Sequence, residues 1–81
     1  MRVRAEFYSR LREIAGARNL QIELPEGASV RDLVRKLMID YPALRDFETS
    51  MLFGLGVEFV QVDHVLHDDD TVAIMPPVQG G

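Results

Sequence analysis

Eighty-one residues, 47% of them apolar, make one domain with enough hydrophobic material for a core and too little length for a second. A net charge of −4 argues against nucleic acid or an anionic membrane as the main partner. Cysteine is absent, which removes disulfides, thiolate metal sites and cysteine nucleophiles together, so any sulfur chemistry must ride on another group.

The start, Met1-Arg2-Val3-Arg4-Ala5-Glu6, alternates instead of building the apolar stretch of a signal peptide. No apolar run approaches a membrane span, and a cytoplasmic chain is expected. Val3, Ala5 and Phe7 share one face, against Arg2, Arg4 and Glu6, and Tyr8 continues the polar side. This predicts a half-buried strand over 2–8. Ser9 is placed to N-cap a short helical turn carrying Leu11 and Ile14, closed by Gly16. Leu20, Ile22 and Leu24 alternate with Gln21 and Glu23 in a second strand over 19–24, ended by Pro25-Glu26-Gly27.

Ser29-Val30-Arg31-Asp32 has the form of a capping box, with Asp for the usual Glu. Val30, Leu33, Val34, Leu37, Met38 and Tyr41 then fall on one helical face, and Pro42 stops the helix. One apolar stripe has to lie on something, and strands are what the chain offers. Residues 43–50 read as a loop with a helical turn at Leu44-Arg45. Met51–Leu55 and Glu58–Val62 read as a hairpin about Gly56-Val57; glycine first suits a type II′ turn, and valine second resists type I′. His64 and His67 lie in a loop with no third ligand indicated, and Asp68-Asp69-Asp70 reads as a solvated turn, so no metal site is expected.

The final strand, Thr71-Val72-Ala73-Ile74-Met75, runs into Pro76-Pro77. Neither proline continues a ladder, so the domain is expected to span 1–75 and residues 76–81 to form an extended tail. Six extended residues reach at most about 20 Å. Pro76, Pro77, Val78, Gln79 and Gly80 lead to Gly81 and its carboxylate. The first and last strands each carry an alternating apolar face and are expected at the sheet's centre, in parallel, with the chain held up to Met75. If Val72 and Ile74 face the helix, Met75 faces out; the same alternation turns Tyr8 and Phe59 out. Three large side chains near the tail's exit would form an apolar patch of the kind that marks an interface. Arg4 and Arg12 are candidates to meet acidic partner groups beside it. Lys36 is the one lysine against eight arginines, which gives little support to chains linked through internal lysines.

Three stretches carry a family resemblance: Tyr8-Ser9-Arg10-Leu11-Arg12-Glu13, Leu24-Pro25-Glu26-Gly27-Ala28-Ser29-Val30-Arg31-Asp32-Leu33, and Asp70 through Gly81 with its Pro-Pro-Val-x-Gly-Gly ending. Together they make the chain resemble the small subunits of molybdopterin synthase, which are ubiquitin-like β-grasp sulfur carriers. The ending is the most specific part. The resemblance departs at two turns, where Gly56-Val57 replaces an Asn-Gly type turn and Asp69 replaces a glycine.

The resemblance implies an α+β fold: a ubiquitin-like β-grasp with a mixed five-stranded sheet and one main helix on one face. It implies that the Gly81 carboxylate is adenylated by an E1-like, ATP-using enzyme and converted to a thiocarboxylate by a sulfur donor. The sulfur would then pass to cyclic pyranopterin monophosphate within the large catalytic subunit, in a heterotetramer. The chain itself would bind no cofactor and act as a non-catalytic carrier. A terminal carboxyl has an ordinary pKa of about 3.5, so at neutral pH it would attack the α-phosphate of ATP without a general base from this chain. Glycines let the tail thread a narrow channel, and the proline pair lowers the entropy lost on threading. The same tail suits a sulfur carrier for thiamine or tRNA thiolation, or a ubiquitin-like protein modifier. A non-covalent ubiquitin-like binding module, for which the tail is dispensable, is the reading from another class.

Overall fold

A computed structural model describes residues 1–77. The expectations for Val78, Gln79, Gly80 and Gly81 lie outside the described residues. The alternating stretch at the start forms β1 (Arg2–Phe7), followed by α1 (Arg10–Ala15), β2 (Asn19–Glu23) and α2 (Val30–Asp40). A 3-10 helix over Pro42–Phe47 leads to β3 (Leu52–Leu55), β4 (Glu58–Val60) and β5 (Thr71–Met75). The strands form one sheet of order β2-β1-β5-β3-β4. β1 and β5 pair in parallel at its centre, with Ala5 opposite Val72 and Phe7 opposite Ile74. The remaining pairs are antiparallel. This is the mixed five-stranded β-grasp expected, and the two central strands are the two expected.

The strand period of two puts Val3, Ala5, Phe7, Val72 and Ile74 on the inner face, all fully buried. α2 lays Val30, Leu33, Val34, Leu37 and Met38 across them. Each such side chain contributes about 1.5–3 kcal/mol on full burial, so this helix–sheet contact is the main source of stability. The capping box is complete. Ser29 N–H donates to Asp32 Oδ2 over 2.9 Å, and Asp32 N–H donates back to Ser29 Oγ over 3.4 Å. Such a cap stabilises a helix start by about 1 kcal/mol.

Several local expectations are corrected. Ser9 precedes α1, but its side chain makes no capping bond and its backbone sits at φ 54°, ψ −131°. Gly16 closes α1 in the left-handed region, as expected. The second strand stops at Glu23, and the loop after α2 is a six-residue 3-10 helix that buries Leu44. The hairpin ladder reaches only Phe53 opposite Val60. Beyond it the Val62 carbonyl accepts from Arg31 N–H over 2.8 Å, which takes the chain to the start of α2. Gly56 has φ +64° and Val57 has no positive φ, which excludes type I′ and agrees with the type II′ reading.

The acidic turn is hydrogen-bonded into the fold. Asp68 Oδ1 accepts from Arg2 N–H over 2.8 Å, and Asp69 N–H donates to the Arg2 carbonyl over 2.7 Å. Asp69 sits at φ +69°, which explains why glycine suits this position in the family the chain resembles. Among the described residues no helix is long and apolar enough to cross a membrane.

Candidate functional site

The outer face of the sheet is built by the same alternation that fills the core. β1 presents Glu6 and then Tyr8, β5 presents Ala73 and Met75, and β3 presents Gly54, which lies opposite Ala73 on one side and Phe59 on the other. Tyr8 N–H donates to the Ile74 carbonyl over 3.1 Å, which holds the tyrosine beside the last turn of the β5 ladder. Tyr8, Phe59 and Met75 thus meet around one depression of about 290 Å³, with Ala73 and Gly54 among the residues lining it. Phe59 is 71% exposed, Val57 at its rim is wholly exposed, and Tyr8 is 38% exposed. Exposed apolar surface that clusters in this way is the mark of a docking face. β5 ends at Met75, so Pro76 and Pro77 continue from the edge of this depression.

The electrostatics of the face are set by few groups. Tyr8 Oη donates to Glu6 Oε1. That hydrogen bond, and the negative charge behind it, raise the phenol's pKa above its ordinary value, against a smaller opposing pull from Arg12. Arg12 lies beside Tyr8, and its Nε donates to the Phe7 carbonyl over 3.4 Å. Arg4 does not join it. It pairs with Thr71 at the far end of β5, about 13 Å back along β1 from Tyr8.

Among the described residues every fully buried side chain is apolar, and no three His, Cys, Asp or Glu side chains are placed to hold a metal ion. His67 Nδ1 stands 3.9 Å from Asp70 Oδ2, and the His64 carbonyl accepts from Val30 N–H, so both histidines serve the loop. The arrangement is an exposed, largely apolar depression beside the end of β5. Sequence reasoning found its three large side chains but missed Gly54 and Ala73. The signal was present, because a glycine interrupts an otherwise apolar strand.

Residues 5–81 match the ThiS family. The molybdopterin synthase sulfur carrier subunit of Chlamydomonas reinhardtii is 35% identical over 83 residues, covering all of both chains. Small archaeal modifier protein 3 of Haloferax volcanii is 29% identical over 92 residues, again covering all of both. The crystal structure of SAMP1 from Haloferax volcanii superposes with a TM-score of 0.86 at 25% identity, over the whole of each chain. The fold, the ending that carries the resemblance and these matches agree: the chain belongs to the ThiS family and has its ubiquitin-like β-grasp fold.

Proposed function

We propose that this chain is the sulfur carrier subunit of a molybdopterin synthase, carrying sulfur as a thiocarboxylate on Gly81. The observation that carries the reading is the parallel pairing of β1 with β5, which brings the chain's exit to mid-sheet beside an apolar docking face. The full-length likeness to a subunit of that name supports it.

In the proposed cycle a carboxylate oxygen of Gly81 attacks the α-phosphorus of ATP on an E1-like enzyme, and pyrophosphate leaves. A sulfide equivalent from the donor then attacks the acyl carbon, and AMP leaves. The resulting thiocarboxylate enters the large subunit and gives its sulfur to cyclic pyranopterin monophosphate. The protein's own part is positional: the body grips each partner while the tail reaches into it. Gly81→Val is expected to leave the fold intact and abolish ATP–pyrophosphate exchange by the activating enzyme. Normal exchange by the variant would overturn the reading.

The likeness to a small archaeal modifier favours one further reading, transfer of the activated carboxyl to lysines of other proteins. Co-purification with a larger synthase subunit distinguishes the carrier from the modifier, which would instead leave covalent adducts. A passive binding module would keep its affinities after removal of Gly80 and Gly81.

A further inference from the structure

Gly54 sits inside β3, a strand flanked on both sides by β4 and β5. A glycine there weakens a strand through backbone entropy and the missing side chain. Among the described residues nothing requires it. Its φ is not in the left-handed region, and a Cβ built on it would meet Met75 Cε at 3.4 Å, Ala73 Cβ at 3.6 Å and the Glu58 carbonyl at 3.8 Å. Those are ordinary van der Waals distances, the nearest of them to the free end of a methionine. The fold would therefore accept alanine, and no contact among the described residues offsets the cost of glycine. Its neighbour across the ladder, Ala73, is the next smallest side chain. The two small residues lie among the taller walls of Tyr8, Met75 and Phe59.

We infer that Gly54 and Ala73 keep open a seat for one apolar side chain of the protein that receives the tail, making Gly54 a residue that sets partner specificity. This rests on the carrier reading above and names the chemistry that the partner must present. The occupant is apolar because Ala73, Met75, Tyr8 and Phe59 surround the seat. It belongs to the tail's receptor because the seat borders Met75, one residue before Pro76, so a protein that admits the tail covers it. A strand glycine with room for a Cβ is the pattern expected where another molecule approaches closely. Met75 is the adaptable wall, since an unbranched thioether repacks at little cost.

The test is calorimetric titration of the large synthase subunit with the wild-type chain, Gly54→Ala and Gly54→Val, with Ile39→Ala as control. Ile39 is 72% exposed on α2, on the opposite side of the sheet. Gly54→Ala, whose added Cβ stands at van der Waals distance from its neighbours, is expected to melt no lower than wild type. Gly54→Val is expected to bind about tenfold or more weakly, with Gly54→Ala between it and wild type and Ile39→Ala unchanged. If wild type binds and Gly54→Val binds as well as wild type, the seat is overturned and the carrier reading stands. If wild type does not bind the subunit at all, the carrier reading falls and the seat falls with it.

Discussion

Tyr8 donates its main-chain N–H to the carbonyl of Ile74 over 3.1 Å, so the last bond of the central parallel ladder ties the end of β1 to the root of the tail. Because a strand alternates, the bond that secures Ile74 in the core also places the Tyr8 ring on the outer face, beside Met75. One hydrogen bond thus links the core to the outer-face depression and fixes where β5 ends, just before Pro76. The first prediction concerns that face. Phe59 is 71% exposed and should matter little to folding, so Phe59→Ala is expected to change stability by less than about 0.5 kcal/mol. It is expected to weaken binding to the large subunit by about tenfold. Thermal melts and calorimetry on the same variant separate the two effects.

The core prediction runs the other way. Leu33 lies fully buried between α2 and the sheet. Leu33→Ala is expected to cost about 2–5 kcal/mol, against a total of about 4–12 kcal/mol for a chain of this size. Urea unfolding followed by circular dichroism measures the loss.

Ser9 holds a backbone conformation suited to glycine, and its hydroxyl gives the helix no capping bond in return. Ser9→Gly is therefore expected to stabilise the protein by about 1 kcal/mol, the relief of one strained residue less the added freedom of the unfolded chain. Ser9→Ala is expected to lack the usual penalty for losing a cap. A destabilised Ser9→Gly would show that the turn is set by something other than φ.

Asp32 gives a pH-dependent contribution. The Ser29 backbone N–H holds its pKa below the ordinary carboxylate value against the opposing effect of desolvation, with smaller help from the Ser29 hydroxyl, Arg35 and Arg31. A depressed folded pKa means stability present above the unfolded value and lost as pH falls through the folded one. Asp32→Ala is expected to melt below wild type at neutral pH, and the gap should narrow below about pH 4. A gap independent of pH would show that the carboxylate's charge is not what caps α2.

How much of this was legible follows from which interactions are local. α2, β1 and β5 were readable because their apolar residues repeat at the periods of their own geometry, and the capping box lies within four consecutive residues. Leu66 was not. It stands next to Val65 in a loop with no strand or helix period to say which of the two goes inward, and it enters the core where its N–H reaches the Ala28 carbonyl over 2.8 Å, a contact that sequence spacing does not encode. The early end of the hairpin has the same cause, since Val62 bonds to the start of α2 instead of to β3. At the site, alternation placed Tyr8, Phe59 and Met75 outward, but their meeting around Gly54 depends on strand order. Strand order became readable only through the parallel pairing of the first strand with the last.

The claim at the centre is that the Gly81 carboxyl carries sulfur. Intact-mass spectrometry of the protein purified from its own cells tests it most directly. The account predicts a fraction heavier by the exchange of one oxygen for one sulfur, located by fragmentation to Gly81 and lost in cells lacking the activating enzyme. Protein from active cells that carries only the oxygen form, with the activating enzyme present and its sulfur donor supplied, would contradict it.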